Sequence, residues 1–143
     1  MIDTETVEIV TKLPDGGGES VFEAAGGMAF FDALVAAFYG CVARDPVLLS
    51  LYPDPNDLGP ARQRLTLFLA QYWGGPTTYS EGRGHPRLRM RHAPFVIGER
   101  ERDHWLAAMT AALDELDPPA ALRQRFDAYF TMSAEAMRNS DAT

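Results

Sequence analysis

Apolar residues recur along this chain at the spacing of α-helices, and short stretches rich in glycine and proline separate the periodic segments. The clearest stripe is formed by Phe31, Leu34, Val35, Phe38 and Val42, which follow one another at intervals of one to four positions. Residues spaced three and four apart lie on one face of an α-helix. The stripe therefore predicts an amphipathic helix of about four turns.

Further segments show the same period or carry signals that start and stop helices. Asp45-Pro46 places a capping side chain before a proline at the first helical position, so a short helix through Leu51 and Tyr52 is expected. A loop is expected after Pro76, and then a short helix that contains His92 and ends before Pro94. The other predicted helices are a turn at Phe22 to Ala25 that stops at Gly26-Gly27, a helix with Leu65, Phe68, Leu69 and Tyr72 that ends at Gly74-Gly75-Pro76, a helix with Trp105, Met109, Ala112 and Leu116 that ends at Asp117-Pro118-Pro119, which also caps the next helix, and a last helix with Leu122, Phe126, Tyr129, Phe130, Ser133 and Met137 on one face.

These patterns predict an all-α protein of roughly six helices without internal repeats. No segment alternates apolar and polar residues as a half-buried strand does. The 143 residues suffice for one domain with one core. Residues 1–20 contain the run Pro14-Asp15-Gly16-Gly17-Gly18 and no sustained period, so they are expected to form a flexible extension before a domain at residues 21–143.

Charge and cysteine content narrow the classes of function. A net charge of −7 disfavours nucleic acid as the main partner, because phosphate binding requires a positive surface. The longest nearly apolar run, residues 34–43, is shorter than the roughly 20 residues of a membrane-spanning helix. The single cysteine, Cys41, rules out an internal disulfide and the Cys-x-x-Cys-His signature of covalent haem attachment. A reducing compartment such as the cytoplasm is the expected location.

The segment around His92 carries the most distinctive chemistry. Six of the thirteen basic residues are arginines that lie between Arg83 and Arg102. One interpretation of this arginine cluster is a solvated surface with local ion pairs. The alternative is a metal site. A proline leaves backbone carbonyls of the preceding helix without their usual partners, so a histidine before it can donate a hydrogen bond from one ring nitrogen to such a carbonyl and bind metal with the other nitrogen. Neighbouring Arg89 and Arg91 could then pair with the propionates of a haem.

Other sites are harder to build from this sequence. His85, His104 and Met90 are rival iron ligands. A zinc site lacks both a second cysteine and a His-Glu-x-x-His pattern. Gly82 and Gly84 are not followed by Lys-Ser or Lys-Thr, so a phosphate-binding loop is not predicted, and the Gly-x-Ser-x-Gly pattern of many hydrolases is missing.

Several motifs together resemble a known family. The chain is similar to the group II, or O-type, truncated haemoglobins of bacteria over residues 21–139. The longest matching segment is residues 84–95, and a run of this length and composition is a specific signal. The remaining matches are Phe38-Tyr39, Leu51-Tyr52-Pro53, Arg64-Leu65, Phe68-Leu69, residues 71–76, Thr78-Tyr79-Ser80, Arg102-Asp103 and Trp105-Leu106.

The resemblance implies a shortened globin fold, in which two helices pack over two others around one haem b. It implies that His92 is the proximal ligand of a five-coordinate iron. On the distal side it implies a hydrogen-bonding network of Tyr39, Tyr52 and Trp105, with Ala61 and Leu65 on the distal helix. The haem contacts it implies are Arg91 and Tyr79 at the propionates, with Arg64 as a further candidate, and an apolar wall of Phe68, Leu88, Phe95, Ile97 and Met109.

These residues lead to one main functional expectation and two alternatives. Hydrogen bonds from the network are expected to retain oxygen, so that it is released slowly, and NO and CO are expected to bind at the same iron. Slow release argues against oxygen transport. One alternative is a redox enzyme on the same scaffold, a nitric oxide dioxygenase or a peroxidase-like catalyst that needs an unidentified reductase. The other is an all-α interaction module without a cofactor, whose arginine cluster binds an acidic partner.

Overall fold

A computed structural model describes residues 20–52, 54–83 and 97–138, without the side chains of residues 82 and 83. Every regular element in these ranges is a helix, which confirms the predicted all-α class. The seven helices are α1 (Val21–Ala25), α2 (Met28–Ala43), α3 (Pro46–Leu49), α4 (Gly59–Tyr72), α5 (Thr78–Arg83), α6 (Glu99–Leu116) and α7 (Ala120–Met137).

Helix α2 forms the centre of the core. Its predicted stripe is buried, and Phe31, Leu34, Val35, Phe38 and Val42 are all completely inaccessible to solvent. The helix packs most extensively against α6 and next against α4, while α6 also packs against α7. The helices thus form two packed pairs, α2 with α4 and α6 with α7, and the contact of α2 with α6 joins them. Burial of this continuous apolar face is the main source of stability for the arrangement.

The short helix α1 is fixed to the end of α4. Its N-cap Ser20 accepts a hydrogen bond at 3.1 Å from the backbone N–H of Glu23, and the N–H of Phe22 donates to the carbonyl of Trp73 at 2.9 Å. A Cβ added to Gly75 would lie 2.6 Å from the Phe22 ring and 2.7 Å from the Ala70 carbonyl oxygen. Only glycine allows α1 to pack this closely.

Two helix boundaries differ from the predictions. Helix α3 ends at Leu49 rather than continuing through Tyr52, which follows it in a hydrogen-bonded turn. The loop expected after Pro76 is wrong, because α5 begins at Thr78. Local polar contacts stabilise it: the Thr77 hydroxyl donates to Glu81 at 2.6 Å, and the Ser80 N–H donates to the Gln71 side chain at 2.9 Å.

The turn between α6 and α7 is only partly as expected. Asp117 ends α6 in the left-handed conformation, with φ at 48°. The same segment supplies the N-cap residue of α7, as predicted, but this residue is Pro119 and it makes no side-chain capping bond. In the part of the chain that the structure describes, no helix is long and apolar enough to cross a membrane.

Candidate functional site

Two tyrosines meet in the corner between α2 and the turn after α3. Tyr39, near the end of α2, is 8% exposed, and Tyr52 is half-buried. Their rings are in edge-to-face contact with centroids 5.6 Å apart, and the Tyr52 hydroxyl donates to the Tyr39 hydroxyl at 3.3 Å. Residues 13 positions apart in the sequence thus present two hydroxyl groups together. We call these two residues the phenol pair.

Both phenols are protonated at neutral pH, because tyrosine ordinarily has a pKa of about 10 and burial raises the pKa of each further. Loss of solvation raises the pKa of Tyr39, partly offset by the hydrogen bond from Tyr52 and by the charge of Arg64. The pKa of Tyr52 is raised well above its usual value, first by burial and then by the charge of Tyr39 and the hydrogen bond to it. A protonated phenol can donate a hydrogen bond as well as accept one. The phenol pair is therefore a source of neutral donors.

Trp105 lies on α6, one ring contact away from the pair. Its indole is half-buried and meets the Phe38 ring at 5.4 Å and the Phe130 ring at 5.8 Å, and Phe38 in turn contacts Tyr39 at 5.1 Å. The structure therefore joins Trp105 to the phenol pair through one apolar ring. A hydrogen bond from its indole nitrogen to the pair or to a ligand stays a prediction.

Helix α4 supplies a second side of the same corner. The exposed Arg64 lies close enough to Tyr39 for its charge to lower the phenol pKa. Ala61 and Leu65, one turn apart, are half-buried and pack against the core. The implied role of Arg64 at a propionate stays a prediction, as do the distal positions implied for Ala61 and Leu65.

The predicted apolar wall is buried where the structure describes it. Phe68 and Ile97 are 6% and 7% exposed, and Met109 is completely inaccessible. Tyr79 is also buried, and its ring meets Phe68 edge-to-face at 5.4 Å. The ring of Tyr79 therefore adds to the wall, while its proposed contact with a propionate remains a prediction. The other predicted site residues, His92, Arg91, Leu88 and Phe95, lie outside the described residues, as do the rival ligands His85 and Met90.

The third rival ligand, His104, has a different partner. Its Nδ1 lies 2.7 Å from a carboxylate oxygen of Asp45, and its side chain is 40% exposed. Sequence reasoning identified Asp45 as a helix cap and missed this contact, which spans 59 positions. No periodic signal links such residues, because the contact depends on where α6 crosses α3. Because its side chain is open to solvent, His104 does not suit the role of a ligand to a buried iron.

The chemistry of these residues fits a haem. A porphyrin requires apolar surroundings, and Phe68, Ile97 and Met109 are buried apolar side chains. A diatomic ligand is stabilised by hydrogen-bond donors, and the phenol pair carries hydroxyl groups that can donate. The aromatic and aliphatic side chains and the two paired hydroxyls thus match both parts of the implied site.

Comparison with known proteins gives the same result. The family model for bacterial-like globins matches residues 20–139. The chain is 36% identical over 113 residues to group 2 truncated hemoglobin YjbI of Bacillus subtilis, covering 79% of this chain and 84% of that protein.

Solved structures agree in fold. A thermostable hemoglobin from Thermobifida fusca is 55% identical with a TM-score of 0.84, covering 87% of this chain and 100% of the other. A truncated oxygen-avid haemoglobin from Bacillus subtilis is 36% identical with a TM-score of 0.79, covering 85% and 100%. The group II truncated hemoglobin of Bacillus anthracis is 35% identical with a TM-score of 0.82, covering 86% and 93%. These similarities confirm the predicted two-over-two globin fold.

Proposed function

This chain belongs to the bacterial-like globin family, and from that premise we propose that it binds oxygen at a haem b and releases it slowly. Membership of the family implies a haem cofactor and the binding of small gaseous ligands such as oxygen. The finer claim, slow release, rests on the phenol pair.

The direction of the hydrogen bond within the pair determines which hydroxyl can act on a ligand. Tyr52 is the donor and Tyr39 the acceptor of this 3.3 Å bond. The proton of Tyr52 is therefore engaged, whereas the proton of Tyr39 remains for a third group. We assign Tyr39 as the donor to the ligand and Tyr52 as the residue that orients it.

The energy of such a bond is large enough to control release. A hydrogen bond to a group that carries charge contributes roughly 1.5–3 kcal/mol, and every 1.4 kcal/mol changes an equilibrium constant about tenfold. One bond from Tyr39 and a second from the Trp105 indole would together slow release by roughly a hundredfold or more. The structural similarity of this chain to a truncated oxygen-avid haemoglobin of Bacillus subtilis supports the proposal of slow oxygen release.

The family resemblance supplies the residues proposed to hold the haem. His92 would bind the iron, Arg91, Tyr79 and Arg64 would pair with the propionates, and Phe68, Ile97 and Met109 with Leu88 and Phe95 would provide apolar contacts to the ring. When bound, the haem supplies an iron with an open coordination position for a diatomic gas. The visible spectrum tests this part of the proposal, because His92→Ala should weaken haem retention and change the ferrous spectrum.

Nitric oxide and carbon monoxide are proposed to bind at the same iron. Conversion of nitric oxide there would consume electrons that a reductase has to supply, so turnover with a supplied reductant separates catalysis from gas binding. The free thiol Cys41 is half-buried, and it supports the proposal that the protein works in a reducing compartment such as the cytoplasm.

The decisive experiment is the rate of oxygen dissociation from the reduced protein, measured by stopped-flow mixing. We expect Tyr39→Phe to accelerate release roughly ten- to hundredfold, because it removes the donor and keeps the ring. Trp105→Phe should also accelerate release. The matched control is Tyr129→Phe, which removes the hydroxyl of a buried tyrosine in contact with Trp73 and should leave the rate unchanged. Fast release by the unmodified protein, or a rate insensitive to Tyr39, would overturn the proposal.

A further inference from the structure

A short contact outside the phenol pair connects the two segments that bear the distal side chains. The Oδ2 atom of Asp45 lies 2.7 Å from Nδ1 of His104, and the two side chains are 24% and 40% exposed. Asp45 lies in the turn between α2 and α3, whereas His104 lies on α6. The contact therefore joins the polypeptide that leads to Tyr52 to the helix that carries Trp105.

The carboxylate of Asp45 has two structural functions. Its Oδ1 atom accepts from the backbone N–H of Val47 at 2.9 Å and from that of Leu48 at 3.4 Å, so it caps α3. Its Oδ2 atom is left for His104. An ionised carboxylate can only accept hydrogen bonds, so Nδ1 of His104 carries the proton whether the ring is neutral or charged.

Helix α3 connects Asp45 to Tyr52 through hydrogen-bonded backbone. Leu48 is 1% exposed and holds the helix in the core, and the N–H of Leu51 donates to its carbonyl at 2.9 Å. The N–H of Tyr52 donates to the carbonyl of Leu49 at 3.2 Å. The backbone from Asp45 to Tyr52 is thus one continuous hydrogen-bonded segment. On the other side of the contact, His104 directly precedes Trp105 on α6.

We infer that the Asp45–His104 contact is a positioning device, which fixes Tyr52 relative to Trp105 and thereby sets the rate of oxygen release. The inference rests on the proposed function, because it concerns the same network. Neither residue touches the ligand. If the contact is broken, the turn that carries Tyr52 can move away from α6, the 3.3 Å bond to Tyr39 is made less often, and Tyr39 is oriented less well.

Three variants separate this function from helix capping. Asp45→Ser keeps a capping side chain but is too short to reach His104. His104→Phe keeps a flat ring and removes the donor, whereas His104→Asn places an amide donor near the position of Nδ1. The matched control is Arg123→Gln, which removes an ion pair between α7 and Asp114 of α6, at the other end of the same helix.

The rate of oxygen dissociation is the first measurement. We expect Asp45→Ser and His104→Phe to accelerate release about three- to tenfold, less than Tyr39→Phe, because the hydrogen bond to the ligand is weakened rather than removed. The double variant should show the rate of one single variant, since both break one contact. His104→Asn should restore most of the slow release, and Arg123→Gln should not change it.

Two spectroscopic measurements report on position rather than on release. The stretching frequency of carbon monoxide in the ligand pocket should shift in His104→Phe in the direction that Tyr39→Phe shifts it, because both variants weaken the same donor. Ultraviolet titration of the phenols should show a lower pKa for Tyr52 in His104→Phe, because the ring becomes better solvated.

The outcomes distinguish the two proposals. If Tyr39→Phe accelerates release while both Asp45→Ser and His104→Phe match the unmodified protein, the positioning inference is wrong and the proposed function stands. If Tyr39→Phe has no effect on release, the proposed function is wrong, and the positioning inference that rests on it is wrong as well. Equal acceleration in Arg123→Gln, or no recovery in His104→Asn, would show a general loss of stability and would also overturn the inference.

Discussion

Two aromatic regions of this protein have similar composition and different organisation. In the phenol pair, edge-to-face rings bring two hydroxyls to 3.3 Å. In the second region, which we call the aromatic cluster, Trp73 meets Phe126 at 5.1 Å and Tyr129 at 5.4 Å, both edge-to-face. Among the described residues, the buried indole nitrogen of Trp73 has no hydrogen-bond partner. The aromatic cluster also includes Phe30 and Phe31, which stack or pack edge-on against Phe126.

The difference shows that dense aromatic packing alone does not indicate a site. The aromatic cluster fills space between α2, α7 and the end of α4. Within the described part of the chain it leaves the indole nitrogen of Trp73 unpaired, where no ligand is implied. The phenol pair satisfies one hydroxyl with the other and keeps one proton available. We therefore expect packing energy and ligand chemistry to depend on different residues, and substitutions should separate them.

The largest effect is expected from Phe126→Ala in the aromatic cluster. Phe126 is completely inaccessible to solvent, so its truncation should cost about 3–5 kcal/mol and lower Tm by roughly 6–20 °C. Thermal unfolding measures the loss. Oxygen release from the folded variant should stay within about twofold of the unmodified rate, whereas Tyr39→Phe should show the reverse pattern. Acceleration of release by Phe126→Ala would mean that the two regions are coupled.

An intermediate effect is expected from Asp45→Asn, and it should depend on pH. Burial alone would raise the pKa of Asp45, but hydrogen bonds from His104, Leu48 and Val47 outweigh it and lower the pKa in the folded state. A carboxyl with a depressed pKa adds stability above its unfolded pKa, about 3.9, and this stability is lost as the pH falls through the folded value. Asp45→Asn should therefore lower Tm by roughly 2–4 °C at pH about 7.

The difference in Tm between Asp45→Asn and the unmodified protein should begin to shrink below pH about 4, where the unfolded chain takes up the proton. It should disappear only below the lowered pKa of the folded state, where Asp45 is protonated in both states. Thermal unfolding across this range measures the change. Asp32→Asn, at an exposed position of α2, is the control and should show little difference at any pH. A constant difference for Asp45→Asn at all pH values would contradict the linkage.

The smallest effect is expected from Ser133→Ala on α7. Ser133 is 4% exposed, and its hydroxyl has no hydrogen-bond partner among the described residues. Removal of an unpaired buried hydroxyl breaks no hydrogen bond and takes away a polar group that is costly to bury. Tm should therefore stay the same or rise by up to about 3 °C. A clear drop in Tm would show that the hydroxyl makes a bond to a part of the holo-protein outside the described residues.

Sequence periodicity predicted the core better than it predicted the site. The α2 stripe follows directly from the spacing of Phe31, Leu34, Phe38 and their neighbours, and all of these residues are buried. Helix α5 was missed because its six residues include no apolar period and depend on contacts with Thr77 and Gln71. Short helices of this kind are decided by tertiary context rather than by local preference.

The site residues required a different source of information. Nothing in the spacing of Tyr39 and Tyr52 distinguishes them from ordinary half-buried tyrosines, and only the family resemblance selected them. The Asp45–His104 contact had no sequence signal, since it joins residues 59 positions apart. The predicted roles of His92 and Arg91 remain predictions, because both lie outside the described residues.

The close contact at Gly75 restricts how this protein can be engineered. A side chain at this position would meet the Phe22 ring on one side and the rigid Ala70 carbonyl on the other. The carbonyl belongs to the hydrogen-bonded backbone of α4, so α1 is the part that would have to detach. Insertions, affinity handles or fusion partners that strain the loop after α4 should therefore release α1 before they disturb the phenol pair, and limited proteolysis near Ser20 would detect this first.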